Sequence, residues 1–290
     1  MLPTKLFLIL LSCVVLGAVA KLQPEDSKNY IFGQNALLII ALAIPFCLCL
    51  LQSKEFVKAD NKAVVITGCD SGFGHSLAIR LHKLGYTVYA CCLFSQQEGA
   101  KGLRKIGGSR MHVLQVDVTS EAQIREATEY VKSTLGNTEL WALVNNAGIA
   151  SYAEIEWCAV NVFQRIMDVN VIGVVRMTKS FLPLLRTTKG RVINVASLSG
   201  RYTLPAFAAY SMSKVACIAF SDGLRQEMSK FGIKVITVEP GLYRTPIAVQ
   251  MMAESKKRWD DTPTEIKDAY GEEYFAEIFS CSMHRPYPGV

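Results

Sequence analysis

The stretch Lys62-Ala63-Val64-Val65-Ile66-Thr67-Gly68-Cys69-Asp70-Ser71-Gly72-Phe73-Gly74 decides the fold of this 290-residue chain. Its first half is an apolar run of strand length, and the segment from His75 to Leu84 that follows has helical spacing. Glycines between a first strand and a helix let the backbone approach a ligand, and the amides that open the helix favour an anion such as a pyrophosphate. The stretch therefore predicts a nucleotide-binding turn, although its glycine spacing differs from the six-residue dinucleotide fingerprint.

Five further apolar runs follow, and segments of helical character separate them. Strands that alternate with helices require right-handed crossovers and a parallel sheet covered on both sides. We therefore predict an α/β, Rossmann-like domain over residues 62–279, with a doubly wound parallel sheet of six strands and helices on both faces. The predicted strands are residues 62–68, 87–93, 111–118, 140–148, 190–197 and 233–241.

Polar residues mark the ends of two of these strands, where open parallel sheets bind their ligands. Asp117 and Val118 end the third strand, and the Asp117 carboxylate is placed either to accept a hydrogen bond from an adenine amino group or to cap a turn. Asn145-Asn146-Ala147-Gly148 ends the fourth strand, beside the expected switch point of the sheet. These positions predict that a nucleotide lies across this edge.

Tyr210 and Lys214 are four residues apart on a predicted helix, and Ser197 ends the fifth strand upstream of them. Positions i and i+4 share a helix face, so the Lys214 ammonium is expected beside the Tyr210 phenol. A neighbouring positive charge lowers a tyrosine pKa from its usual value of about 10. A tyrosine tuned in this way can exchange a proton with an alcohol or a carbonyl.

Together these features resemble the short-chain dehydrogenase/reductase family. The matches follow the family's order across residues 62–241 and are the glycine turn, Asp117, the 145–148 motif, Asn170, Ser197, Tyr210, Lys214 and Pro240-Gly241. The resemblance implies that Tyr210 is the general acid/base and that Ser197 orients the substrate oxygen. It also implies that Lys214 lowers the pKa of Tyr210 and holds the nicotinamide ribose, while Asn170 supports Lys214 through a water.

The same resemblance implies a nicotinamide dinucleotide cofactor. The residues expected to contact it are Thr67, Gly68, Ser71, Gly72, Phe73, Gly74, Asp117, Val118, Asn145, Ala147, Gly148, Tyr210, Lys214, Pro240, Gly241 and Thr245. The second strand ends in Ala90-Cys91-Cys92-Leu93, without the acid that usually binds the adenosine ribose. No arginine or lysine lies in residues 93–100 to hold a 2′-phosphate, which favours NAD without excluding NADP.

The amino-acid sequences of the glycine turn and of Val238-Glu239-Pro240-Gly241 are similar to those of one branch of the family. That branch holds retinol, 17β- and 11β-hydroxysteroid and 3-hydroxybutyrate dehydrogenases, which mostly use NAD. The resemblance implies reversible hydride transfer between an alcohol carbon and the nicotinamide, with a lipophilic alcohol such as a steroid or a retinoid as the favoured substrate. The alternatives are a 3-hydroxybutyrate dehydrogenase and a catalytically impaired cofactor-binding membrane protein.

Two apolar segments, residues 6–20 and 31–51, precede this domain within an N-terminal region of residues 1–53. The first is typical of a signal peptide or a short anchor, and the second has the length of a membrane span. Lys54, Lys58 and Lys62 follow the second segment, so the positive-inside rule places the domain in the cytosol. We expect anchoring in a lipid bilayer, in the endoplasmic reticulum or, as the alternative, in the inner mitochondrial membrane.

After Gly241, amphipathic spacing predicts helices from Pro246 to Ser255 and from Thr264 to Phe279. Residues 280–290 contain two prolines and predict an irregular tail in place of a seventh strand, which leaves homo-oligomerisation open. The basic residues behind the net charge of +6 are scattered, which argues against nucleic acid as a partner. The nine cysteines lack the spacing of metal ligands, so no metal site is predicted.

Overall fold

A computed structural model of the chain describes residues 57–243 and 245–284. The chain divides into two units, Met1–Lys58 and Ala59–Val290, and nearly all of the described residues belong to the second. Within the described ranges no helix is long and apolar enough to cross a membrane. The two apolar segments predicted as membrane segments lie outside those ranges.

Six strands form one parallel sheet in the order β3-β2-β1-β4-β5-β6. They are β1 Lys62–Thr67, β2 Thr87–Cys92, β3 Met111–Gln115, β4 Glu139–Asn145, β5 Arg191–Val195 and β6 Lys234–Val238. The predicted doubly wound sheet of six strands is confirmed. Every strand stops short of its predicted end, because the residues beyond it leave the sheet to form the loops of the site.

Nine helices are described in residues 57–243 and 245–284, apart from short turns. They are α1 Gly72–Lys83, α2 Glu98–Ile106, α3 Glu121–Thr134, α4 Val160–Met167, α5 Gly173–Thr188, α6 Ala208–Met228, α7 Pro246–Asp260, α8 Thr264–Tyr270 and α9 Glu272–His284. Helix α1 begins at Gly72, ahead of its predicted start at His75. The last three residues of the glycine turn, Gly72 to Gly74, are therefore already part of the helix.

Alternate residues of β1 enter two separate cores, because successive side chains of a strand point to opposite faces. Ala63 and Val65 are buried against helices α3, α5 and α6. Val64 and Ile66 are buried against α1 and α2 on the other face. A strand that is covered on both sides must be apolar throughout, which explains why β1 reads as a continuous apolar run.

The C-terminal helices differ from the prediction. The helix predicted from Thr264 to Phe279 is broken at Gly271, whose φ of 83° ends α8 and separates it from α9. Helix α9 continues to His284, so the irregular tail predicted from residue 280 is wrong for residues 280–284. The first proline of the tail is Pro286, and the residues before it have no barrier to helix formation.

Candidate active site

The loops that follow β1 and β4 are joined by hydrogen bonds at the point where the strand order reverses. The Thr67 hydroxyl accepts hydrogen bonds from the backbone N–H groups of Asn146 at 3.0 Å and Ala147 at 2.9 Å. The Asn146 side-chain amide donates in return to the carbonyls of Thr67 at 2.9 Å and Gly68 at 3.1 Å. These bonds fix the glycine turn against the β4 loop at the edge where α/β sheets bind nucleotides.

The glycines of this turn are required by close contacts. A Cβ atom on Gly74 would lie 2.3 Å from the Gly68 carbonyl oxygen and 2.5 Å from the Asn146 amide nitrogen. Gly68 has a φ of 69°, and a Cβ atom there would lie 2.8 Å from the Cα of Ala147. Larger residues at either position would separate the two loops.

The N-terminus of α1 fits the pyrophosphate of a dinucleotide. Ser71 is the N-cap residue, but in the described structure its side chain makes no capping hydrogen bond, and the first turn carries no acidic residue. The amides of the first turn therefore remain available to an anion, which the helix dipole also favours. Above this turn, the ring of Phe73 lies edge-on to Tyr243, with 5.2 Å between the ring centroids.

The loops after β5 and β6 close the other side of the site. The carbonyl of Pro240 accepts a hydrogen bond from the backbone N–H of Leu198 at 2.9 Å, next to Ser197. Among the described residues no atom lies within 4 Å of the place that a Cβ atom on Gly241 would take, and a Cβ atom on Gly72 would lie 3.9 Å from the Thr245 side chain. The predicted cofactor positions after β1 and β6 thus face the same crevice.

Tyr210 and Lys214 are neighbours, as their helical spacing predicts, and Ser197 lies beside Tyr210, as the resemblance implies. The side chains of Ser197 and Tyr210 share a hydrogen bond. The Lys214 ammonium lies 5.5 Å from the centroid of the Tyr210 ring and donates to the Val195 carbonyl at 2.9 Å. Two hydroxyl groups and an ammonium group therefore meet at the ends of β5 and α6.

Burial has the largest effect on the pKa values of Tyr210 and Lys214. Loss of hydration raises the pKa of Tyr210, and the hydrogen bond with Ser197 only partly offsets it. Loss of hydration also lowers the pKa of Lys214 to about 8. The Tyr210 pKa is thus raised overall instead of lowered as expected, because sequence spacing shows which groups are neighbours but not how much water they lose.

Asn170 lies in a π-helical turn, Asp168–Ile172, between α4 and α5. Its amide nitrogen donates to the Ile149 carbonyl at 2.9 Å and to the Ser213 hydroxyl at 3.0 Å, and its oxygen accepts from the Ile149 N–H at 2.9 Å. Ser213 in turn donates to the Tyr210 carbonyl at 2.6 Å. Asn170 therefore ties the β4 loop to the helix of Tyr210, while the water-mediated contact with Lys214 stays a prediction.

Gly148 lies close to both the Asn170 amide and the Lys214 ammonium. A Cβ atom on Gly148 would lie 3.3 Å from the Asn170 side-chain oxygen and 3.6 Å from the Lys214 nitrogen. The backbone of the 145–148 motif thus lies beside Asn170 and Lys214.

Three residues that were predicted to contact the cofactor have side chains that hydrogen-bond to or pack against other protein residues. The Asn145 amide donates to the hydroxyl of Thr178 at 3.1 Å and to the side-chain oxygen of Asn194 at 2.9 Å, inside the helix-covered layer. One carboxylate oxygen of Asp117 accepts from the backbone and the hydroxyl of Thr119, in the turn before α3. The third residue, Val118, is buried in the core. Contact of these residues with a cofactor stays a prediction.

Asn146, Ser213 and Asp70 also belong to this site, although the sequence pattern did not indicate them as individual site residues. Asn146 lies inside the motif that was singled out, and Ser213 lies one position before Lys214. Asp70 accepts from the amides of Leu93 and Phe94 across the turn. Contacts between distant loops of this kind leave no periodic signal along the chain.

A cleft of about 280 Å³ opens beside Ile149, between α4 and α7. Its apolar wall is formed by Ile149, Val162, Ile166, Ile247 and Met251, and its polar wall by Asn161, Arg165, Gln250, Glu254 and Arg258. Arg258 donates to Glu254 at 2.6 Å, and its second terminal nitrogen is buried without a hydrogen-bond partner among the described residues. The cleft therefore offers both an apolar surface and a cation.

The arrangement can hold an alcohol or carbonyl oxygen between two hydroxyl groups beside a dinucleotide turn, which is the geometry for proton exchange during hydride transfer. Comparison with known proteins agrees with this chemistry. The family model described as short chain dehydrogenase matches residues 62–256. A crystal structure of a short-chain dehydrogenase from Streptomyces avermitilis matches with a TM-score of 0.60 at 32% identity, over 64% of this chain and 68% of that one.

Two curated relatives are similar over most of the chain. Mitochondrial D-beta-hydroxybutyrate dehydrogenase from Mus musculus is 42% identical over 227 residues, which cover 76% of this chain and 66% of the relative. Retinol dehydrogenase 16 from Rattus norvegicus is 43% identical over 228 residues, which cover 78% of this chain and 71% of the relative. The chain thus spans about two thirds of the length of these relatives.

Proposed function

Because the chain belongs to the short chain dehydrogenase family, we propose that it is a membrane-anchored oxidoreductase that transfers a hydride between a nicotinamide cofactor and a lipophilic alcohol or ketone, such as a retinoid or a steroid. The observation that carries the proposal is the hydrogen bond between Ser197 and Tyr210 beside the buried ammonium of Lys214. NAD is the favoured cofactor, and the endoplasmic reticulum membrane, with the catalytic domain in the cytosol, is the proposed location.

Tyr210 and Ser197 handle the substrate oxygen. Because burial raises its pKa, Tyr210 keeps its proton at neutral pH and can donate it to the oxygen of a carbonyl substrate. Ser197 donates to the same oxygen and holds it in line with the tyrosine. In alcohol oxidation Tyr210 accepts the hydroxyl proton instead. The bound cofactor supplies or accepts the hydride.

Lys214 supplies the positive charge of the site. With a pKa of about 8 it is mostly protonated at neutral pH, and the Val195 carbonyl fixes its direction. Its charge favours the phenolate that Tyr210 needs when the enzyme oxidises an alcohol. The ammonium has three donors, so it can also hold a ribose hydroxyl of the cofactor.

The substrate class follows from the cleft and from the proposed anchor. The apolar wall beside Ile149 suits a lipophilic substrate, and such a substrate partitions into a bilayer, where an anchored enzyme meets it. The rat relative is named a retinol dehydrogenase, which supports this class.

A second candidate is the oxidation of 3-hydroxybutyrate. Arg165 and Arg258 line the same cleft, and guanidinium groups are suited to bind a carboxylate. The mouse relative is named a hydroxybutyrate dehydrogenase. The inner mitochondrial membrane would then be the location.

Membranes that contain the full chain test the proposal. They are incubated with NAD or NADP and with retinol, a panel of hydroxysteroids or 3-hydroxybutyrate, and reduced cofactor is followed by absorbance. We expect turnover of a lipophilic alcohol with NAD and none in membranes carrying Tyr210→Phe. Turnover of 3-hydroxybutyrate alone would establish the second candidate, and absence of turnover with every alcohol would contradict both.

A further inference from the structure

Asp70 places a carboxylate at the end of β2, where the sequence of the strand provides none. One carboxylate oxygen of Asp70 accepts a hydrogen bond from the Leu93 N–H at 2.8 Å, and the other accepts from the Phe94 N–H at 2.8 Å. These two residues directly follow β2. The acid therefore reaches this position from the glycine turn and not from the strand itself.

The position of Asp70 is fixed by packing, and its carboxylate can still accept further hydrogen bonds. A Cβ atom on Gly99 would lie 1.9 Å from the Asp70 carbonyl oxygen, so helix α2 packs directly on the backbone of the turn. A carboxylate has about four acceptor sites, and the two amides occupy two of them. Asp70 is only partly buried, so the remaining sites can accept hydrogen bonds from a ligand in the crevice.

A cation on the same side of the sheet, Arg104, hydrogen-bonds to a backbone carbonyl. A guanidinium nitrogen of Arg104 donates to the backbone carbonyl of Ser95, beyond the end of β2. Both charges act on the thiol of Cys92, whose pKa is raised to about 12 by burial first and then by Asp70, with a smaller opposing effect of Arg104. The Asp70 carboxylate thus has a larger effect on the Cys92 thiol than Arg104 has.

In open α/β sheets, an acid at the end of the second strand binds the ribose hydroxyls of NAD, and its charge disfavours the 2′-phosphate of NADP. We propose that Asp70 performs this function here and sets the preference for NAD, a role that rests on the proposed function. A 2′-phosphate would meet the Asp70 carboxylate at short range in a partly desolvated crevice, where repulsion between like charges is strong.

Direct binding of the reduced cofactors tests this role without turnover. Dissociation constants of NADH and NADPH are measured by cofactor fluorescence for the full chain, for Asp70→Asn and for Asp70→Glu. Asp70→Asn keeps an acceptor for one amide but removes the charge, so we expect the preference for NADH to fall by about tenfold or more. Asp70→Glu keeps the charge and is expected to retain the preference. Glu98→Gln, which removes an exposed charge on α2, is the matched control and should bind as the wild type does.

Equal weakening of NADH and NADPH binding in Asp70→Asn would show that Asp70 only fastens the two loops, and would overturn the inference. An unchanged preference would do the same, as would loss of the preference in Asp70→Glu despite normal thermal unfolding. A wild-type chain that bound neither cofactor would overturn the proposed function together with this inference. A normal wild-type affinity for NADH with no change in Asp70→Asn would overturn the inference alone.

Discussion

Lys214 is the residue at which burial and charge oppose each other most strongly. Only 5% of the residue is exposed, and its ammonium has a backbone carbonyl as its acceptor. The lowered pKa means that folding penalises the charged form of the side chain. A buried charge that destabilises the fold and lies beside a candidate acid/base such as Tyr210 is typical of an active site, where the charge takes part in the reaction.

We predict that stability will rise with pH through the titration of Lys214. Below pH 8 Lys214 is charged in both the folded and the unfolded chain, so the cost of burying the charge is fully present. Between pH 8 and 10.5 only the unfolded chain keeps the proton, so the folded chain no longer bears this cost. The wild type should therefore gain on the order of 3 kcal/mol relative to Lys214→Met between pH 7 and pH 10.5. Urea unfolding of both proteins across this range measures the difference, and parallel pH profiles would contradict it.

At the residue scale, the sequence predicted which side chains are neighbours better than it predicted how deeply they are buried. Helical spacing and strand ends correctly brought Ser197, Tyr210 and Lys214 together, because these are local properties of the chain. The pKa of Tyr210 was predicted in the wrong direction, since desolvation depends on the packing of distant segments. The buried hydrogen bonds of Asn145 were missed for a related reason: a residue in a strand covered on both faces shows no polarity pattern that reveals which face it occupies.

At the scale of elements, the glycine turn has little space for larger side chains. It holds the first strand, the first helix and the β4 loop within backbone contact of one another, and Gly74 lies at the centre of these contacts. Any side chain at Gly74 would displace either the Gly68 carbonyl or the Asn146 amide. Both groups shape the turn that we propose binds the pyrophosphate.

We predict that Gly74→Ala will lower the free energy of unfolding by about 3 kcal/mol or more and will abolish NADH binding, because its methyl group meets backbone atoms that cannot move independently. Gly223→Ala on α6 is the control, since it has open space for the methyl group and lies within a helix. This control should be stabilised by up to about 1 kcal/mol. Urea unfolding and cofactor fluorescence measure both effects, and equal stability of the two variants would contradict the prediction.

The central elements were predicted more accurately than the C-terminal ones. Buried strands and the crossover helices repeat a strong pattern, so all six strands were found from apolar runs and their spacing. The helix from Thr264 to Phe279 was not recognised as two helices, because one glycine within an amphipathic pattern is compatible with either outcome until its φ is known. Prolines at the end of the chain led to an irregular tail being predicted too early.

At the scale of the whole molecule, the second unit contains all the residues of the proposed catalytic site, and the apolar segments that we propose as anchors belong to the N-terminal region. We predict that the full chain will remain with membranes after an alkaline carbonate wash. A chain that begins at Val57 should appear in the supernatant and bind NADH, because it lacks those segments and retains the sheet. Release of the full chain by carbonate, or sedimentation of the shorter chain with membranes, would contradict the proposed anchor.

The most direct test of the central claim is the rate of hydride transfer in Tyr210→Phe, measured in a single turnover with the substrate that the wild type uses. We predict that this variant will fold and bind NADH normally but react at least about a hundredfold more slowly, because only the proton-transferring hydroxyl is removed. Tyr130→Phe, on α3, is the matched control and should react at the wild-type rate. Hydride transfer by Tyr210→Phe at close to the wild-type rate would contradict the role of Tyr210 as the general acid/base.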